Sequence, residues 1–143
     1  MLVAGNHESL DDLRAACDGW VNAHLLHGES VVISDLAVFG LGFEISTVDR
    51  GPWNSQISED EAARLLAGCP AGGLLVTHAP PQGVADLQRN GAHEGSAAVR
   101  RAIEAKQPRL HICGHIHNAW GSSGTIGACR VHKIGPQARW FDL

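Results

Sequence analysis

Tyrosine is absent from this chain of 143 residues, and the other aromatics are scarce, with four Trp and three Phe. No block of Lys and Arg stands out, and the net charge is −4 with His neutral. Without a basic stripe interleaved with aromatic side chains, binding to a nucleic-acid polymer is disfavoured. No apolar run approaches the ~18 residues that a membrane span needs, so no membrane partner is expected. The four cysteines, Cys17, Cys69, Cys113 and Cys129, form no CxxC pair. That argues against a zinc-finger framework. With no secretory pattern at the start, reduced and mostly buried thiols in a cytoplasmic protein are expected. The chain also lacks a G-x-S-x-G elbow, a P-loop and a GxGxxG turn. It shows no carboxylate pair set for glycoside chemistry.

What is plentiful is histidine, nine in all, and glycine, 17 in all. Glycine in that number implies many tight turns. Imidazole is the commonest metal ligand, but position has to decide which of the nine serve. The length suits one domain, residues 1–143, with no internal repeat or linker.

Ser9 predicts an N-cap, with Asp11 and Asp12 in the first turn of a helix ending near Gly19. Residues 23–26 and 30–33 read as short strands about a turn, and 36–41 as a third apolar run. The stretch 44–55 reads as irregular. Ser58, with Glu61 three residues on, predicts a capped helix. Residues 72–77 read as a strand, 94–106 as an amphipathic helix stopped by Pro108, and 109–113 as a strand. Two more strands are expected near 129–134 and 138–141. The class is α/β (α+β) with a mixed sheet.

Three clusters share one design: VAGNHE at 3–8, LLVTHAPP at 74–81 and HICGHIHNAWG at 111–121. Each is an apolar run that stops at a small residue or turn and then presents a metal-capable side chain. Sites in open α/β sheets form where strands end, so Asn6, His78, His115 and His117 would converge if the three strands lie side by side. In an extended chain His115 and His117 would point to one face. Pro80 and Pro81 would stiffen the turn after His78. His7 is a candidate acid, and Glu8 a candidate partner for its ring. His93, on the loop 82–93, is a candidate substrate contact. His24, His27, His111 and His132 read as structural or surface residues.

GNHE at 5–8, THAPP at 77–81 and GHIH at 114–117, in that order, resemble the last three signature blocks of the calcineurin-like metallophosphoesterases. The stretch 77–121 is similar to one branch of small metal-dependent phosphodiesterases in that superfamily. The resemblance implies a sandwich of mixed β-sheets with flanking helices. It implies two divalent cations, Mn²⁺, Zn²⁺, Fe or Ni²⁺. Asn6, His78 and His115 would ligate the second cation and His117 the first. His7 would contact the phosphate and protonate the leaving oxygen, oriented by Glu8. Metal-activated water would attack a small phosphoester, by branch a phosphodiester and by extension a nucleotide.

The family's Asp-x-His and Gly-Asp-x-x-Asp blocks do not occur in the sequence. The expectation is therefore an N-terminally truncated domain of doubtful activity, with a sheet whose uncovered apolar edge invites a homodimer. Asp35, Asp49 and Asp86 are candidates to replace the bridging carboxylate, and no spacing places them at the metals. The alternative reading is a non-catalytic metal- or phosphate-binding module, or a subunit completed by a partner chain.

Overall fold

A computed structural model of the chain describes residues 1–143. In chain order its elements are α1 (Leu10–Ala16), β1 (Glu29–Ile33), β2 (Leu36–Leu41), β3 (Glu44–Ile45), β4 (Gln56–Ile57), α2 (Glu59–Leu66), β5 (Leu74–Thr77), α3 (Ala97–Lys106), β6 (Leu110–Cys113), a 3₁₀ turn (His117–Ala119), β7 (Ser123–Ile126) and β8 (Cys129–Lys133). Six strands form one sheet in the order β1-β2-β5-β6-β8-β7. The four inner strands run parallel, and β1 and β7 close the edges antiparallel. The mixed α/β class expected from the sequence is the observed one. The second sheet is small, a parallel ladder of β3 and β4 alone.

Three of the four inner strands read LAVFGL, LLVT and LHIC because a parallel strand has little solvent on either side, while β8, CRVHK, alternates. One face packs Phe39, Leu41, Leu75 and Val131 against Leu66 of α2 and Ile103 of α3. The other face carries Val38 and Val76 under Leu26, with Leu36, Leu74 and Ile112 only partly buried. Helix α1 has no buried residue, so it does not cover that face.

Register decides where the inner strands stop. Leu41, Thr77, Cys113 and Lys133 are successive partners across the sheet, so β2, β5, β6 and β8 end level with one another. The chain's first residues join this end from outside the sheet. Leu2 makes one parallel bridge with Leu25, and Phe43 donates its N–H to the Ala4 carbonyl at 3.0 Å. Gly42 permits the approach: a Cβ there would stand 2.8 Å from the Ala4 nitrogen.

The two inner helices are joined at their N-termini. Ser96 caps α3 through Val99 N–H. Glu59, from the first turn of α2, accepts from Ser96 Oγ and Ala97 N–H at 3.0 Å and from Ala98 N–H at 2.6 Å. One carboxylate thus satisfies orphan donors of α3 and complements its dipole. Replacing Glu59 with Ala is expected to cost about 1–3 kcal/mol, measured by urea denaturation.

Several sequence expectations shift. Residues 23–26 form only the bridge to Leu2, and 138–141 form no strand. The partner of β8 is instead β7, SGTI, whose Gly and Ser hide the apolar alternation; Gly127 at φ +60° turns the hairpin. Helix α3 starts at Ala97 rather than 94, because Pro81 and Ser96 pair as an extended bridge. The stretch expected to be irregular holds β3 and runs up to β4.

Candidate functional site

Two turns at the carboxyl ends of β5 and β6 bring His78 and His115 together. His78 N–H donates to the Leu41 carbonyl, and Gly114 N–H donates to the His78 carbonyl, each at 3.0 Å. His78 Nε2 then lies 3.1 Å from His115 Nδ1 and 3.1 Å from Asn6 Oδ1. His115 adopts φ +73°, a conformation an L side chain takes at a cost. The expectation that 115–117 run extended with both rings on one face does not hold. The chain turns at His115 and enters the 3₁₀ turn at His117.

Both His78 and His115 are shifted toward the neutral form. Burial, followed by the His115 ring and Lys133, lowers the His78 pKa to about 4. Burial also lowers His115, against a pull upward from Glu44. Neutral imidazole is the form that binds a metal. With all three groups neutral, one ring proton has to serve two contacts at 3.1 Å. A cation on their lone pairs would complete them: donors ~2.1 Å from a shared cation at right angles lie ~3.0 Å apart. The two spacings from His78 Nε2 fit such an ion. No three His, Cys, Asp or Glu side chains gather into a group that could hold a metal ion.

Asn6 and His115, with His78 behind them and outside its lining, open on a cleft of about 470 Å³ that His7, Glu44, Arg50, Trp53, Glu94 and His117 also line. His7 stacks on Trp53 with ring centroids 5.5 Å apart and planes within 15°. His117 is exposed and packs against Trp120 at 4.6 Å. Glu8 makes no hydrogen bond to His7; its carbonyl accepts from Ser55 Oγ at 2.8 Å. His93 does not line the cleft, and its Nδ1 sits 2.7 Å from Asp86 Oδ1. Asp86 is fully buried and also accepts from the N–H groups of Gly83 and Gly95, so it anchors the loop. Asp49 accepts from Gly51 N–H in a turn. Asp35 lines a larger hollow of about 810 Å³ at the opposite ends of the strands, which gathers no such donors.

Two residues of this end carry no signal in the sequence. Glu44 is 3% exposed and Asn54 is 7% exposed. Arg50 Nε donates to Glu44 Oε1 at 2.8 Å, and Asn54 Nδ2 donates to Glu44 Oε2 at 3.0 Å. Burial would raise the Glu44 pKa, but the hydrogen bonds from Arg50 and Asn54, with the Arg50 charge, bring it below its usual value. Asn54 Oδ1 in turn accepts from Asn6 Nδ2 at 2.8 Å. A carboxylate ten residues ahead of an Asn, inside a stretch without periodicity, offers no pattern to read.

No protein-family model matches the chain. UPF0046 protein T07D4.2 of Caenorhabditis elegans is 27% identical over 125 residues, which is 78% of this chain and 30% of that protein. Metallophosphoesterase domain-containing protein 1 of Homo sapiens is 43% identical over 53 residues, 34% of this chain and 15% of that protein, and so is its Mus musculus counterpart. The chain therefore spans less than a third of the length of these curated relatives. A solved crystal structure superposes with a TM-score of 0.74 at 20% identity, over 94% of this chain and 55% of that one. TT1561 of Thermus thermophilus superposes with a TM-score of 0.67 at 19% identity, over 90% of this chain and 59% of that one. These structures share the mixed α/β fold of the chain, and the sequence likeness to metallophosphoesterase-domain proteins is remote and partial.

Proposed function

We propose that the chain takes part in metal-dependent hydrolysis of a small phosphoester. One observation carries the reading: His78 Nε2 lies 3.1 Å from both Asn6 Oδ1 and His115 Nδ1, at the carboxyl ends of the adjacent parallel strands β5 and β6. The partial likeness to metallophosphoesterase-domain proteins points the same way. These three residues hold a divalent cation, with Mn²⁺, Zn²⁺, Fe or Ni²⁺ suited to two imidazoles and an amide oxygen. When bound, such a cation supplies the positive charge that phosphoryl oxygens and an attacking water need. His117, which lines the same cleft, is the donor left for a second cation. His7, held flat against Trp53, contacts the phosphate and passes a proton to the leaving oxygen. The substrate we favour is a phosphodiester of nucleotide size, matched to a cleft of about 470 Å³. The chain's free thiols suit a cytoplasmic setting.

A second reading is a non-catalytic binding module, or a subunit whose site a partner chain or a second copy completes. It is favoured because His117 alone remains for the second cation. Hydrolysis of bis(p-nitrophenyl) phosphate with Mn²⁺ separates the two. Turnover that needs Mn²⁺ and disappears in His78→Ala supports the enzyme; Mn²⁺ binding without turnover supports the module.

A further inference from the structure

The donor in this cluster that could point the wrong way is Asn6. An Asn side chain presents either an oxygen or an NH₂, two groups of nearly one shape. Only the oxygen binds a cation. Nothing in Gly-Asn-His decides which end faces His78 and His115.

The hydrogen bonds behind Asn6 do decide it. Arg50 can only donate, and it donates to Glu44 Oε1. The Glu44 carboxylate can only accept, so the Asn54 NH₂ must face it, at 3.0 Å. That NH₂ also meets Gln56 Oε1 at 2.8 Å. Asn54 Oδ1 is therefore turned to Asn6, accepts from its NH₂ at 2.8 Å, and leaves Asn6 Oδ1 for the histidines. The β3–β4 ladder sets this up. Glu44 and Gln56 are register partners, and Ser55 N–H donates to the Asn6 carbonyl at 2.8 Å.

We propose that Asn54, held by Glu44 and Gln56, is a positioning residue that fixes the rotation of the Asn6 amide so that oxygen faces the cation site. The proposal rests on the metal reading above and adds the device that makes Asn6 a ligand. It gives the small second sheet a purpose beyond packing Ile45 and Ile57 against the core.

The chain reverses in an informative way when Glu44 becomes Gln. Arg50 still needs an acceptor, so the new amide turns its oxygen to Arg50 and its NH₂ to Asn54. Asn54 then turns over, Asn6 follows, and an NH₂ faces the histidines. The change is isosteric, which keeps it usable where Asn54→Ala fails to fold.

The test is Mn²⁺ affinity by calorimetry on the full chain, with thermal melting beside it. Asn54→Ala and Glu44→Gln are each expected to weaken binding at least ~10-fold. In an Asn6→Asp background the same changes are expected to cost less than ~2-fold, because a carboxylate offers oxygen either way round. A charge effect or a general loosening would persist in that background. Unchanged affinity in both variants, or an equal loss in both backgrounds, overturns the proposal. A second readout needs no metal: hydrogen exchange of the Asn6 side-chain amide, by NMR, should be slow in the unsubstituted chain and fast in Asn54→Ala. Should the unsubstituted chain bind no Mn²⁺, the metal reading fails, and slow or fast amide exchange still supports or overturns the orientation.

Discussion

His115→Ala is expected to lower Mn²⁺ affinity by at least ~100-fold, to the limit of calorimetric detection, while the chain still melts cooperatively. The magnitude follows from the donor count. On the proposed reading Asn6, His78 and His115 are three neutral ligands with no carboxylate among them, so each would carry a large share of the binding. Losing Nδ1 leaves one imidazole and one amide, a pair that competes poorly with water. The fold should tolerate the change. His115 sits at φ +73° beyond the end of β6, and Ala there keeps the backbone requirement without adding bulk. Strain stored at that residue is released or kept, but the sheet does not depend on its ring. Retention of full affinity in His115→Ala would mean that the histidine pair is a packing contact and that the ion, if any, binds elsewhere in the cleft.

Lys133→Met is expected to stabilise the fold by roughly 1–3 kcal/mol at pH 7, measured by urea denaturation. Lys133 is the last residue of β8; it is 0% exposed and its Nζ has no hydrogen-bond partner. Burial lowers its pKa from 10.5 to about 8, with Cys113 and Asp86 pulling weakly upward. The folded state thus binds its proton less tightly than the unfolded chain does. Below about pH 8 both states are charged and the whole penalty is present. Between about 8 and 10.5 the folded lysine is neutral while the unfolded one remains charged, so the penalty fades as pH rises. Methionine carries no charge to bury. The advantage of Lys133→Met should therefore be largest at pH 7 and shrink across that window.

The difference between the two proteins is the quantity to follow. Burial raises the Cys113 thiol to about 12 and the Cys129 thiol to about 11. Those thiols take stability away above their unfolded pKa, because the unfolded chain ionises first. That loss is common to both proteins and cancels to first order. A stability difference that stays flat from pH 7 to 10.5 would show that Nζ finds a partner or water in solution.

Apolar runs and the residues that stop them carry most of what is legible without coordinates. The strands LAVFGL, LLVT and LHIC are short and unbroken, and each meets glycine or histidine where the sheet stops. The helix caps Ser9 and Ser58 are equally local, each accepting from a backbone N–H three residues on. Local rules suffice there because the interactions are local. The same alternation is blurred in SGTI, so β7 passes unseen, and the true cap Ser96 is masked by polar residues before it.

The chain itself determined which side chains can bind a cation: Asn6, His78, His115 and His117 are present, in order, each after a strand-like run. Tertiary structure alone decided how many of them meet. Level strand ends and two backbone hydrogen bonds bring His78, His115 and Asn6 together, while His117, in the 3₁₀ turn, packs on Trp120 and lines the same cleft. It also chose Glu44 and Asn54, two residues with no pattern of their own, to orient Asn6. The reason is physical. A ligand's identity is written in one residue, but its direction depends on which donors and acceptors lie behind it, and those arrive from 38 to 48 residues away.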